Sequence, residues 1–155
     1  MGRRRFSKRF FRFIKRPPQA LYAIGLGPLY GRLVLLLTTT GRRSGLPRVT
    51  PLQYEEINGA IHVASARGDH ADWFRNIVAD PRVEVRVRSR RFAATAEPIT
   101  DPTRVADFLE YRLRRHPKMV GAIMRREGLP PHPNRADLEQ YAGQRALVII
   151  REAES

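Results

Sequence analysis

The sequence predicts an α+β fold made mainly of antiparallel β-structure: a small split β-barrel with helices packed around it. Three observations carry that expectation. Short strand-like segments are joined mostly by hairpin turns, one apolar strand returns late after a long helical stretch, and helical patterns fall at the start, in the middle and just before that last strand. At 155 residues and 42% hydrophobic, the chain can build one core and is too short for two. The domain reading is a basic arm over residues 1–16 and a single domain over 17–155.

Residues 1–16 place Phe6, Phe10, Phe13 and Ile14 on one side of a helix, with Arg3, Arg4, Arg5, Lys8, Arg9, Arg12, Lys15 and Arg16 around them. Such a pattern lies in an anionic membrane interface, packs its phenylalanines on the domain, or belongs to a partly disordered arm. Pro17-Pro18 stops it. Gln19 to Tyr30 then reads as a short apolar helix interrupted by Gly25, Gly27 and Pro28, and the apolar span Ala20 to Leu37 is too broken by Pro28, three glycines and Arg32 to read as a membrane helix. The run Leu33 to Thr39 is a strand covered on both faces.

Val49 to Ile57 and Ala60 to Ala66 flank Asn58-Gly59, a two-residue link whose positions tolerate positive φ, so the pair reads as a hairpin. In the return strand Ile61, Val63 and Ser65 face one way, His62 and Ala64 the other. Trp73, Phe74, Ile77 and Val78 recur at helical spacing within Ala71 to Ala79, and Asp80-Pro81 ends that helix. Arg82 to Arg88 alternates valine with charge, as a half-exposed antiparallel strand does. Ser89-Arg90 turns it into a strand over Arg91 to Ile99.

Asp101-Pro102 opens a helix through a cap and an N1 proline, with Val105, Phe108, Leu109 and Leu113 as its buried stripe. Pro117 breaks it. Lys118 to Glu127 continues with Met119, Val120, Ile123 and Met124, a proline-rich loop follows, and a short helix lies around Asp137 to Ala142. Ala146 to Ile150, within Arg145 to Arg151, reads as a central strand.

The net charge is +14, with 26 arginines against 3 lysines, and residues 1–16 supply +8 of it. A surplus that large favours polyanions: nucleic acid, an acidic membrane surface, or a phosphorylated and carboxylated small molecule. Nucleic acid fits least, because the arm's phenylalanines form a helix face rather than stacking platforms. No cysteine means no disulfide, thiolate nucleophile or Cys-based metal site, which suits the cytoplasm. His62, His70, His116 and His132 show no metal-ligand spacing, and neither common nucleotide-loop motif is present.

The charge with the most informative setting is Gly41-Arg42-Arg43-Ser44-Gly45-Leu46-Pro47-Arg48, which follows Thr38-Thr39-Thr40. Two glycines and a proline make it a turn, and guanidinium forks match phosphate and carboxylate. A solvated basic loop is the alternative.

That stretch, with Leu35 to Thr40 before it and Val49-Thr50-Pro51-Leu52 after it, then Val63-Ala64-Ser65, Asp72-Trp73-Phe74-Arg75-Asn76 and Asp80 to Val85 in order, resembles the deazaflavin-dependent nitroreductase family over residues 20–100. The resemblance implies a split barrel like that of FMN-binding pyridoxamine-phosphate oxidases, and coenzyme F420, whose phosphodiester and γ-linked glutamates make it polyanionic. It implies that Arg42, Arg43, Ser44 and Arg48 meet the phosphate and tail. Val49 and Pro51 pass beside the cofactor, Ala64, Ser65 and Ala66 sit against the ring, Arg67 contacts either the cofactor phosphate or solvent, and Asp72 and Trp73 complete the pocket. One departure is Ala66 before Arg67, where family members carry a basic residue directly after the serine.

The implied activity is hydride transfer from reduced F420 to a quinone, enone or nitro acceptor, with the cofactor carrying the chemistry. Ser65, Tyr54 and His70 are candidate proton donors. Tyr111, Met119, Met124 and Tyr141 are candidate substrate contacts, without the dense tyrosine cluster of nitro-drug reducers. The alternatives are a barrel that binds FMN, or a non-enzymatic protein holding a polyanion or membrane surface through residues 3–16 at the inner face of the membrane. Both monomer and homodimer remain open.

Overall fold

The computed structural model describes residues 34–154. The expectations for residues 1–16, for Pro17-Pro18, for the helix over 19–30 and for Leu33 lie outside the described residues. The strands are β1 (Val34–Thr40), β2 (Pro47–Gln53), β3 (Glu55–Ile57), β4 (Ala60–Ser65), β5 (Arg82–Val87), β6 (Arg90–Ile99) and β7 (Ala146–Glu152). The helices are α1 (Asp72–Ala79), α2 (Pro102–Arg115), α3 (Pro117–Arg126) and α4 (Arg135–Ala142), with a 3-10 turn at Gly68–His70 before α1. The described strands form one sheet of order β2-β1-β5-β6-β7-β4-β3, antiparallel at every pairing. It curls until β2 comes up against β4, which makes the half-barrel of a split-barrel fold.

Period-two alternation decides what lines the barrel. Leu35, Leu37, Val83, Val85, Ala94, Ala96, Val148 and Ile150 point inward and meet Phe74 and Ile77 of α1. Burial of each large side chain contributes about 1.5–3 kcal/mol, so this cluster is a major source of stability. Leu147 and Ile149 point the other way, into a second cluster with Phe108, Leu109, Val120, Met124 and Leu138 from α2, α3 and α4. Both faces of β7 are thus covered, the physical basis of its unbroken apolar run.

The expected hairpin at Asn58-Gly59 is present, with φ of 52° and 80° and Ile57 opposite Ala60. Asp101 caps α2 through a 3.1 Å bond accepted from the Thr103 N–H, and Pro102 occupies the first turn. Asn134 and Asp137 form a reciprocal capping box on α4.

Three expectations need correction. The strand foreseen over Val49 to Ile57 is two strands, broken at Tyr54: β2 pairs with β1, and β3 turns away to pair with β4. The break is how the chain crosses from one edge of the curled sheet to the other. The second tight turn is Arg88-Ser89, one residue earlier than read, with Val87 opposite Arg90 and Arg88 at φ 55°. Glu84 of β5 is buried at 1% exposure rather than facing water, because β5 runs between β1 and β6, where Thr38 and Ala93 flank it. Its Oε1 lies 2.9 Å from Arg91 Nε, and burial pushes its carboxyl above the usual range against the opposing pull of Arg91 and Arg86.

Strand register sorts the loops into two ends. The last residues of β1, β4 and β6 and the first residues of β2, β5 and β7 share one end, which also carries the 3-10 turn and α1. The turns at Asn58-Gly59 and Arg88-Ser89 share the other.

Candidate functional site

The arginine loop joins β1 to β2 at the α1 end of the barrel. Its closure is local: Gly41 N–H donates to the Leu46 carbonyl and Gly45 N–H to the Gly41 carbonyl, each at 2.8 Å. The Ser44 hydroxyl accepts from Leu46 N–H at 3.2 Å. Gly45 sits at φ +71°, and a Cβ on Gly41 would fall 2.6 Å from Ser44 Oγ, so this tight turn requires both glycines.

One buried amide fastens the loop to α1. Asn76 Oδ1 accepts from the Arg42 backbone N–H at 3.1 Å and from its guanidinium at 3.0 Å, while Asn76 Nδ2 donates to Thr39 Oγ1 at 3.2 Å. Arg42 also donates to the Asp72 carbonyl at 3.4 Å and to its carboxylate at 3.1 Å. The hydrogen bond and charge of Arg42 hold the exposed Asp72 carboxyl below its usual range. Arg42 is therefore mostly spent on positioning the loop. Arg43 and Arg48 are exposed and have no ion pair among the described residues.

Beside α1 lies a cleft of about 640 Å³, formed by the end of β4, the 3-10 turn, Thr100 and the link from α4 to β7. Arg67, Asp69, His70 and Arg145 carry its charge. Gly68, at φ +60°, lets the turn approach that link, since a Cβ there would be 2.8 Å from the Gln144 carbonyl oxygen. Arg145 is locked in place: its guanidinium stacks 3.3 Å from the Tyr141 ring centroid, donates to the Tyr141 carbonyl at 3.0 Å and pairs with Glu127. Arg67 is exposed and has no ion pair among the described residues. Arg75 ties the 3-10 turn to α1, because it donates to the Asp69 carbonyl at 2.9 Å and lies 3.4 Å from His70 Nδ1.

The sequence-predicted residues divide accordingly. Arg42, Arg43, Ser44, Arg48, Asp72 and Trp73 gather at the loop and α1, and Ala66, Arg67 and His70 gather at the cleft on the same end. Trp73 is half-buried against the barrel core, edge-on to Phe74. Val49 and Pro51 pair with Thr38 and Leu36 on the sheet face away from the interior, and Ala64 packs into the helical cluster.

Among the three proton-donor candidates, only His70 lines this cleft. Ser65 is buried and its hydroxyl is spent on the Gly68 carbonyl at 2.7 Å, and Tyr54 lies at the opposite end of the barrel. The substrate candidates do not converge. Tyr111 lines a separate cleft of about 230 Å³ with His62 and Phe108, Met119 and Met124 belong to the helical cluster, and Tyr141 is held by Glu127 under Arg145. Helical spacing grouped Met119 and Met124 but did not show which neighbours any of these side chains would meet.

Asn76 and Arg145 were not assigned roles from the sequence. Asn76 had a signal, a polar residue on the apolar face of α1; Arg145 had none, since its cleft arises only when α4 and β4 meet.

A family model described as F420H(2)-dependent quinone reductase matches residues 19–121. F420H(2)-dependent quinone reductases of Mycobacterium tuberculosis strains H37Rv and CDC 1551 are each 43% identical over 68 residues, covering 42% of this chain and 46% of theirs. The match thus spans about half the length of those relatives. Among solved structures, an F420-H2 dependent reductase, FDR-A, is 22% identical with a TM-score of 0.53, covering 77% of this chain and 95% of that one. A candidate pyridoxamine 5'-phosphate oxidase from Listeria innocua is 11% identical with a TM-score of 0.54, covering 86% and 94%. The heme storage protein HutZ of Vibrio cholerae is 14% identical with a TM-score of 0.55, covering 80% and 84%. At these identities the structures establish the split-barrel fold.

Proposed function

We propose that this chain, which belongs to the F420H2-dependent quinone reductase family, is an oxidoreductase that takes hydride from reduced coenzyme F420 to an organic acceptor of the quinone class. The observation that carries the reading is the set of unpaired guanidiniums, Arg43 and Arg48 on a loop fastened to α1 and Arg67 beside the adjoining cleft. This donor set fits a long polyanion, because phosphate and carboxylates would supply the charge that the described residues leave unmatched. Bound there, the cofactor would supply hydride from ring carbon C5.

The protein's own work is binding, orientation and proton supply. Arg43, Arg48 and Arg67 hold the anionic groups, Arg42 and Asn76 keep the loop facing them, and the half-buried Trp73 flanks the pocket. His70, which lines the cleft, is the general acid for the proton that a reduced quinone oxygen requires. Residues 3–16 add a peripheral contact, their basic residues and phenylalanines resting on an anionic lipid surface where an apolar quinone partitions.

The test is steady-state oxidation of reduced F420 with a naphthoquinone, an enone and a nitroarene as acceptors. Turnover with the quinone, falling about tenfold in His70→Gln, is the expected result. No turnover with any acceptor, or turnover with reduced FMN alone, overturns the reading. Flotation on anionic liposomes, lost when residues 1–16 are removed, tests the arm.

A further inference from the structure

The end of the barrel opposite the arginine loop carries a second cleft, of about 320 Å³, between the Asn58-Gly59 hairpin and the Arg88-Ser89 turn. Ile61, Val87, Phe92 and Ile150 line it, all from the cluster that fills the barrel interior, so its floor is apolar. Its size falls at the lower limit of small-molecule pockets.

Three polar groups make this more than a gap in the core. Tyr54 is more than nine-tenths buried and lines the cleft, yet its hydroxyl has no hydrogen-bond partner among the described residues. Solvent reaches that hydroxyl at the cleft, so it is open to a ligand atom. Arg88 stands at the mouth in a turn at φ 55°, exposed and in no ion pair among the described residues. Arg90 beside it is neutralised by Glu152 at 2.9 Å and lies over the Phe92 ring at 4.9 Å. Glu56 is the remaining charge on the rim and faces solvent.

We infer that this cleft is a second binding site, for a small amphiphilic carboxylate. Its acyl or aryl body lies on Ile61, Val87, Phe92 and Ile150, and its carboxylate accepts from the Arg88 guanidinium and the Tyr54 hydroxyl. Arg88 sets the sign of the head group, and Glu56 opposes it. Strand register puts the site at the far end of the barrel from Arg43, Arg48 and His70, so it is independent of the reductase reading.

The experiment is a nuclear magnetic resonance titration of the full chain with octanoate, and with octylamine as the reversed charge. Octanoate should saturate and shift the amides of 59–61, 87–92 and 150–152, while octylamine should not saturate. Arg88→Asn suits the positive φ and removes the charge, and should weaken binding about tenfold. Tyr54→Phe should weaken it about threefold, and Glu56→Gln should strengthen it about twofold. Joint replacement of Arg43 and Arg48 by alanine should leave it unchanged. Three results overturn the inference: no saturation with octanoate, shifts confined to 41–48 and 66–70, or wild-type affinity in Arg88→Asn.

Discussion

Replacing Asn76 with alanine removes the buried side chain that fastens the arginine loop to α1. Three hydrogen bonds go with it: two accepted from Arg42 and one donated to Thr39 Oγ1. At about 1 kcal/mol net for each bond, with an added penalty for the part-buried Arg42 N–H left without a partner, the loss is about 3–4 kcal/mol. In a chain of this size that is a fall in Tm of about 10 °C. The exposed Arg42–Asp72 pair that remains contributes at most about 1 kcal/mol and cannot hold the loop alone. Urea unfolding measures the stability change, and a fluorescence titration with F420 at a temperature where the variant is folded measures the loop. Affinity should drop about tenfold through lost preorganisation. A stability loss below 1 kcal/mol, or unchanged F420 affinity in a destabilised variant, would refute the clamp.

Gly68→Ala should cost about 2–4 kcal/mol in urea unfolding, since the residue sits at φ +60° and its Cβ would lie 2.8 Å from the Gln144 carbonyl oxygen. Joint Arg43→Ala and Arg48→Ala should change stability by less than about 0.5 kcal/mol, because neither is paired among the described residues. Glu84 has a raised pKa, so the native state binds its proton more tightly than the unfolded chain does. Its contribution to stability therefore falls as pH rises from the ordinary carboxylate range through the raised value. Glu84→Gln should accordingly gain relative stability between pH 4 and pH 7, measured by thermal melts at both; a relative loss at pH 7 would count against burial as the dominant cause.

Local chemistry made much of the fold legible. Asn58-Gly59 allows the positive φ of a two-residue hairpin, Asp101-Pro102 caps and starts α2, and the apolar run of β7 lies between two packed faces. What could not be read depended on neighbours distant in sequence. Nothing local marks Tyr54 as the residue where the chain leaves β1 for β4, and the alternation of β5 gives no sign that both its flanks are occupied.

The site divides in the same way. The arginine loop was visible because glycine, proline and hydroxyl chemistry act within eight residues. The use of Arg42 as a tether, the burial of Ser65 and the scatter of Tyr111, Met119 and Tyr141 follow from tertiary packing. The motif that identified the loop gave no sign that Arg42 would be tied to Asn76 and Asp72.

The central claim, that the arginine loop holds a polyanionic deazaflavin cofactor, is tested most directly by titrating the protein with F420 and with FMN beside the Arg43→Ala, Arg48→Ala double variant. Saturable binding of F420 in preference to FMN, weakened about a hundredfold by the double replacement at low salt, is the predicted result. Equal F420 affinity in the variant, or preferential binding of FMN, would contradict it.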